Sequence, residues 1–239
     1  MDRTLRHQRH FAYYWRIPVK EPTQVRQIEP RWPAALAIVV VVLLLAVLPN
    51  RVRVFPLWLP PLLGVAMIVP MVALSLTSAK ALWLRIESTV TVLFLVTAGL
   101  GVIDELMSLL SSMLRRPGEV NGLQLLASSI GVWASNVLIF SVAFWRTDRG
   151  GPEARANHAS SKPDWLFSAE GAPQEYVPLN WRPTFIDYLF LSYCTATSFS
   201  PAEAQPLTSR GKLLLMLESI ISLVTVIAIA ARAINILSG

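Results

Sequence analysis

Between Trp181 and Leu237, two apolar runs of unequal length flank a polar break, and this arrangement limits what the chain can become. The first run, Phe185 to Cys194, is too short to cross a bilayer, which takes about 20 mostly apolar residues. Thr195-Ala-Thr-Ser-Phe-Ser-Pro201 follows, rich in hydroxyls, and then an apolar helix from Leu213 to Ile236 that is long enough to span. A short helix, a polar break and a spanning helix in series predict a segment that dips into a membrane and returns. Non-helical backbone at that depth is tolerated only where protein or a water-filled cavity surrounds it, so the remaining chain is expected to form a wall around the dip. Behind Pro183, Thr184-Phe-Ile-Asp187 fits a capping box that places a carboxylate in the first turn, where the helix dipole favours it. A helix that starts at the membrane surface and points inward is the expectation.

Four further apolar runs precede the dip: Pro33–Leu48, Phe55–Leu76 with Pro70 expected to kink it, Ser88–Leu110 with room to continue to Met113, and Leu123–Trp145. The last ends on Phe144-Trp145-Arg146, a pattern suited to the membrane interface. With 54% hydrophobic and 15% charged residues and a mean hydropathy of +0.50, no soluble domain fits in what remains. The expected fold is an all-α integral membrane protein with five transmembrane helices and one re-entrant helix. Its parts are a basic, aromatic arm (1–32), a four-helix region (33–145), a long polar loop (146–182) and a pore-like module (183–239). Within the loop, Trp165-Leu166-Phe167 is expected to anchor back onto the membrane surface.

Positive charge is distributed unevenly. If four helices precede the dip, the arm, the connection around Lys80 and Arg85, the long loop and the return segment share one side, which then carries 16 of the 21 Lys and Arg. Such a bias marks the cytoplasmic face. The expectation is a multi-pass protein of the bacterial inner membrane, with its N-terminus in the cytoplasm, the dip entered from there and the C-terminus outside. Arginines interleaved with Phe11, Tyr13, Tyr14 and Trp15 suit the headgroups of an anionic leaflet, so the lipid bilayer, and no nucleic acid, is the expected partner.

Ionisable residues inside spanning helices are costly and point to function. Asp104 and Glu105 share a helical face with Gly101, Ser108 and Ser112; that face either lines a proton or cation path or sits in the outer headgroup zone near Arg115 and Arg116. Glu218 lies early in the last helix, with Ser222, Thr225 and Arg232 on its face, and must find a partner among the hydroxyls of the break or at Arg210. A second stripe, Gln124, Ser128, Gly131 and Ser135, has the spacing of close helix packing or of a conduit. The break's hydroxyls either cap the short helix and turn the chain before Pro201, or join the helix's C-terminal carbonyls in a weak cation site. No Ser/His, paired-Asp or metal constellation points to an enzyme. His7-x-x-His10 lacks a Cys or acidic cluster beside it, and the single cysteine, Cys194, excludes an internal disulfide. Catalytic residues, metals and cofactors are therefore not expected.

From Phe185 to Asn235 the order of elements resembles the pore module of the potassium-channel superfamily, where Asp-Tyr-Leu-Tyr-Phe-Ser precedes the filter and Ile186-Asp-Tyr-Leu-Phe-Leu-Ser192 stands here. The tail, with four helices ahead of it, is also similar to uncharacterised bacterial inner-membrane proteins. The resemblance implies a homo-oligomer, a tetramer if truly channel-like. The filter's Thr-Val-Gly-Tyr-Gly is replaced by Ala196-Thr-Ser-Phe-Ser200, which removes the glycines that let carbonyls line an ion path. The function expected is a channel- or transporter-like protein passing monovalent cations with little selectivity. Thr195, Thr197, Ser198, Phe199, Ser200 and Glu218 would form its constriction, with Asp104 and Glu105 as candidate intramembrane acids. The alternative is a membrane scaffold whose long cytoplasmic loop recruits a partner.

Overall fold

A computed structural model describes residues 29–47, 58–76, 80–115, 122–156, 162–173, 175–178, 181–201 and 204–237. Its helices are α1 (Trp32–Val47), α2 (Leu59–Leu76), α3 (Lys80–Arg115), α4 (Gly122–Thr147), α5 (Pro152–Ala156), α6 (Phe185–Ser198) and α7 (Ser209–Leu237). Two short strands, β1 (Trp165–Phe167) and β2 (Ala204–Pro206), pair antiparallel with Trp165 opposite Pro206. The arm, apart from its last residues, lies outside the described residues.

α4 is the central element, packed against α1, α3, α6 and α7. From Ile139 through Trp145 every residue is buried, as expected of a helix apolar on all faces. The other long helices have one buried side only. On α3 the buried stripe is Glu87, Thr91, Phe94, Ala98, Val102 and Glu105, at intervals of three and four, while Val92, Leu93, Val96, Leu100, Ile103 and Met107 face outward. A continuous apolar exterior of this kind suits lipid rather than water. α1 and α2 approach closely at Gly64, where a Cβ would fall 2.9 Å from Val42 Cγ2.

Among the described residues three helices are long and apolar enough to cross a membrane, over Arg85–Ser108, Leu126–Gly150 and Ser209–Ala231. This is the composition of a multi-pass membrane protein. α1, with 16 residues, is shorter than a usual span, and α2 has 18 with Pro70 in its interior.

Several boundaries differ from the sequence expectation. α6 continues through Thr195, Thr197 and Ser198, so the chain leaves the helix only at Phe199. The reason is local: these hydroxyls donate to the carbonyls of Leu191 (2.8 Å), Tyr193 (2.7 Å) and Cys194 (2.7 Å) one turn back. A back-bonded hydroxyl sits in a helix without an unsatisfied donor. Phe199 ends α6 in the left-handed region at φ 55, a place usually held by glycine. The loop 146–182 is also more structured than expected, holding α5 and β1. Trp165-Leu166-Phe167 is no surface anchor, because Trp165 and Phe167 are buried and only Leu166 faces out. Trp165 lies 5.0 Å from Phe144, and Phe167 5.3 Å from Tyr188, ring centre to ring centre.

The chain returns to its starting end between α6 and α7. Tyr188 at the start of α6 bonds Asp148 just beyond α4, and deeper along α6 the Ala196 carbonyl accepts from Trp133 Nε1 at 3.5 Å. The chain then comes back through β2, where Leu207 N–H donates to Asp164 O at 2.8 Å, and Arg210 at the start of α7 reaches Thr147 O at 3.0 Å. Thus α6 and α7 run parallel to each other and antiparallel to α4.

Candidate functional site

Two polar assemblies are built on this frame. The first closes the end of the bundle where α4 stops and α1, α6 and α7 begin. Gly150 and Gly151, at φ 78 and 95, turn the chain sharply after α4 and bring Arg155 of α5 back over it. Arg155 is buried; it donates to Trp145 O (2.7 Å) and Asp148 O (2.9 Å) and forks onto the Glu29 carboxylate (3.0 and 3.2 Å). Its guanidinium also lies over the rings of Trp145 and Tyr188, 5.9 and 5.2 Å from their centres. The planar fork serves carboxylate, carbonyls and ring faces together, which an ammonium does not.

Asp148 is fully buried and accepts from Tyr188 OH (2.6 Å) and from the backbone N–H of Asp164 (2.8 Å). Asp164 in turn accepts from Thr208 and Arg210, which ties the loop to the start of α7. Arg31 pairs with Glu87 of α3, and Arg149 with Glu170. Partial burial raises the Glu170 carboxyl above its ordinary value, against the pull of Arg149. Asp187 accepts from the N–H (2.7 Å) and hydroxyl (2.8 Å) of Thr184, as the capping pattern predicts.

The second assembly lies one third to one half of the way along the bundle, where α4, α6 and α7 meet. Glu218 is fully buried, and its Oε1 is in hydrogen-bond contact with Ser192 Oγ. Ser192 Oγ also lies 2.7 Å from the Val137 carbonyl. Asn136 donates to Ser222 Oγ (2.8 Å) and to the Glu218 backbone carbonyl (3.4 Å). Glu218, Ser222 and Thr225 form one buried face of α7, as their spacing predicts. Arg210, one of the expected partners of Glu218, is instead engaged with Asp164, and the partner is Ser192 rather than a hydroxyl of the break.

The remaining candidates are distributed as follows. Thr195 is fully buried, whereas Thr197, Ser198, Phe199 and Ser200 are exposed on the surface of the single chain, away from Glu218. Glu105 is buried on the inner stripe of α3 and Asp104, its neighbour, is only half-buried, since adjacent helical residues point about 100° apart. Of the α4 stripe, Ser135 is buried while Ser128 and Gly131 are intermediate. Asn136, Asp148, Asp164 and Arg155 were not singled out from sequence, and Tyr188 and Ser192 entered only as members of the channel-like motif. Asn136 alone carried a signal, as an amide within an apolar run. Among the described residues no group of three His, Cys, Asp or Glu side chains is placed to hold a metal. Comparison with protein-family models, curated proteins and solved structures returns no match to this chain.

Proposed function

We propose that the chain is a channel- or transporter-like protein of the bacterial inner membrane, with five spanning helices and α6 as a re-entrant helix entered from the cytoplasm. The observation that carries this reading is the return of the chain after α6 to the end at which α6 began. Fourteen helical residues reach roughly 21 Å, about two-thirds of a ~30 Å hydrocarbon core. The turn after α6 would therefore lie deep, with Thr197, Ser198, Phe199 and Ser200 uncovered by their own chain. Irregular backbone at that depth needs protein or water around it, which favours assembly of several copies about a polar path. Thr197 and Ser198 donate their hydrogens inward to the helix, leaving oxygen lone pairs directed at that path. Hydroxyl oxygens without an ordered carbonyl ring suit monovalent cations with little discrimination between potassium and sodium. The charge bias of 16 in 21 supports a cytoplasmic location for the capped end.

The test is flux into liposomes holding purified protein under opposed ion gradients. Thr197→Val, which keeps the shape and removes one oxygen, should reduce monovalent cation flux without unfolding the protein. No flux above empty vesicles for any monovalent ion, across pH and voltage, sinks the channel reading. The alternative, a scaffold that recruits a partner through the loop, draws on the exposure of Leu166 and Tyr176. A stable co-purifying partner lost on Tyr176→Ala would favour it.

A further inference from the structure

The proposed constriction leaves Glu218 without a role, although it is a fully buried carboxylate. Its surroundings are short of hydrogens. Ser192 has one hydroxyl hydrogen and two acceptors in reach, the Val137 carbonyl at 2.7 Å and Glu218 Oε1. The Asn136 amide is a second nearby donor, and it is aimed at Ser222 Oγ and the Glu218 backbone carbonyl. Among the described residues Glu218 Oε2 has no hydrogen-bond partner, and it has no exposure to solvent.

Cations do not make up the difference. Among the described residues Glu218 forms no ion pair, and Arg210, two turns earlier on α7, is held by Asp164 and Thr147 O. On α4 the charged group near its end is Arg146, roughly 15 Å along the helix from Asn136, and Asp148 lies just beyond. α6 contributes Asp187, bonded to Thr184, Tyr188, bonded to Asp148, the phenol Tyr193 and the thiol Cys194. α1 and β2 have no titratable residue, and the buried titratable groups of α3, Glu87 and Glu105, are themselves acids. An ionised carboxylate with one shared hydrogen and no counter-charge is costly at such a place.

We propose that Glu218 is a proton-binding site, in which the carboxylic acid donates to Ser192 Oγ and the Ser192 hydrogen goes to the Val137 carbonyl. The added proton closes a hydrogen-bonded chain from α7 through α6 to α4, with every hydrogen assigned one acceptor. The ligand of this site is therefore the proton, and its release would leave α6 and α7 joined by a single shared hydrogen. This deepens the transport reading and rests on α4, α6 and α7 being embedded in the membrane.

Infrared difference spectra of the full-length protein in lipid, wild type minus Glu218→Gln at neutral pH, test the assignment. The expected result is a carboxylic-acid C=O band that vanishes in the variant and moves to higher frequency in Ser192→Ala, where its acceptor is lost. A difference spectrum holding only carboxylate bands overturns the proposal. If Glu218→Gln does not fold, labelling of the wild type with dicyclohexylcarbodiimide, which attacks protonated carboxyls in apolar surroundings, replaces it. An adduct mapped to Glu218 supports the site, and labelling confined to other carboxyls overturns it. The acid band without ion flux would leave the proton site standing and remove the channel reading. Flux without the band would do the reverse.

Discussion

The capped end and the Glu218 assembly both bury carboxylates, and they handle the charge in opposite ways. At the cap, Glu29, Glu87 and Asp164 each meet an arginine, and Asp148 takes a phenol and a backbone N–H. Along the bundle, Glu218 meets one serine. Arginines at the cap can keep part of their length toward water, as Arg210 does with its side chain 57% exposed, and so the cap tolerates ions. Deeper packing offers no such outlet, and the economical answer there is a neutral hydrogen-bonded chain. The cap holds the bundle together by charge; the interior assembly is arranged so that charge is avoided.

The largest effect that would break this contrast is expected at Arg155. Arg155→Ala leaves Glu29 without its fork, takes one donor from each of the Trp145 and Asp148 carbonyls and uncovers two ring faces, a loss of about 3–5 kcal/mol by analogy with removing one partner of a buried pair. Arg155→Lys should recover only part, because an ammonium has three donors and cannot replace all four hydrogen bonds. Glu218→Gln should cost much less, since a neutral isostere in a neutral site leaves no charge unpaired. Thermal unfolding in detergent compares the three. A Glu218→Gln cost equal to that of Arg155→Ala would show that the interior site, too, depends on an ionised carboxylate.

A smaller effect is expected at Tyr188. Tyr188→Phe keeps the ring against Arg155, Trp165 and Phe167 and removes only the donor to Asp148 Oδ2. Leaving that buried oxygen unsatisfied should cost about 1–3 kcal/mol. A neutral result would mean that Arg149, 3.5 Å from the same oxygen, compensates alone.

What could be read from sequence follows the distance over which each feature is determined. The long apolar helices, the capping box at Thr184 and Asp187, and the buried face of Glu218, Ser222 and Thr225 depend on neighbours within a turn or two, and these were legible. The partner of Glu218 lies 26 residues away on α6, and Tyr188 and Asp148 are 40 apart, so periodicity carried no trace of them. Trp165 and Phe167 have the composition of an interface anchor, and only the pairing of β1 with β2 turns them inward. The start of the break was misplaced for a different reason. Threonine and serine mark turns when their side chains compete with the backbone, but at Thr195, Thr197 and Ser198 they bond to it one turn back and let α6 continue.

The smallest effect concerns Arg149, among the described residues the one charged residue of the cap held at positive φ, at 53°. That conformation costs an L-residue about 1–2 kcal/mol, which glycine avoids. Against this stands the Arg149–Glu170 pair, with side chains 26% and 20% exposed, worth about 0–1 kcal/mol. Arg149→Gly should therefore raise stability at neutral pH by about 0–2 kcal/mol. Its signature lies in the pH dependence. Burial raises the Glu170 carboxyl and Arg149 pulls it down, so removing Arg149 lets it rise further. A carboxyl raised on folding favours the acid form in the folded state. Its contribution is full below the unfolded value and is lost as pH rises through the folded one. In Arg149→Gly this loss should extend to higher pH than in the wild type, and Glu170→Gln should abolish it in both backgrounds. Unfolding midpoints measured from acid to neutral pH that run parallel in all four proteins would show that Glu170 senses neither burial nor Arg149. The cap would then be rigid without being electrostatically tuned at this edge.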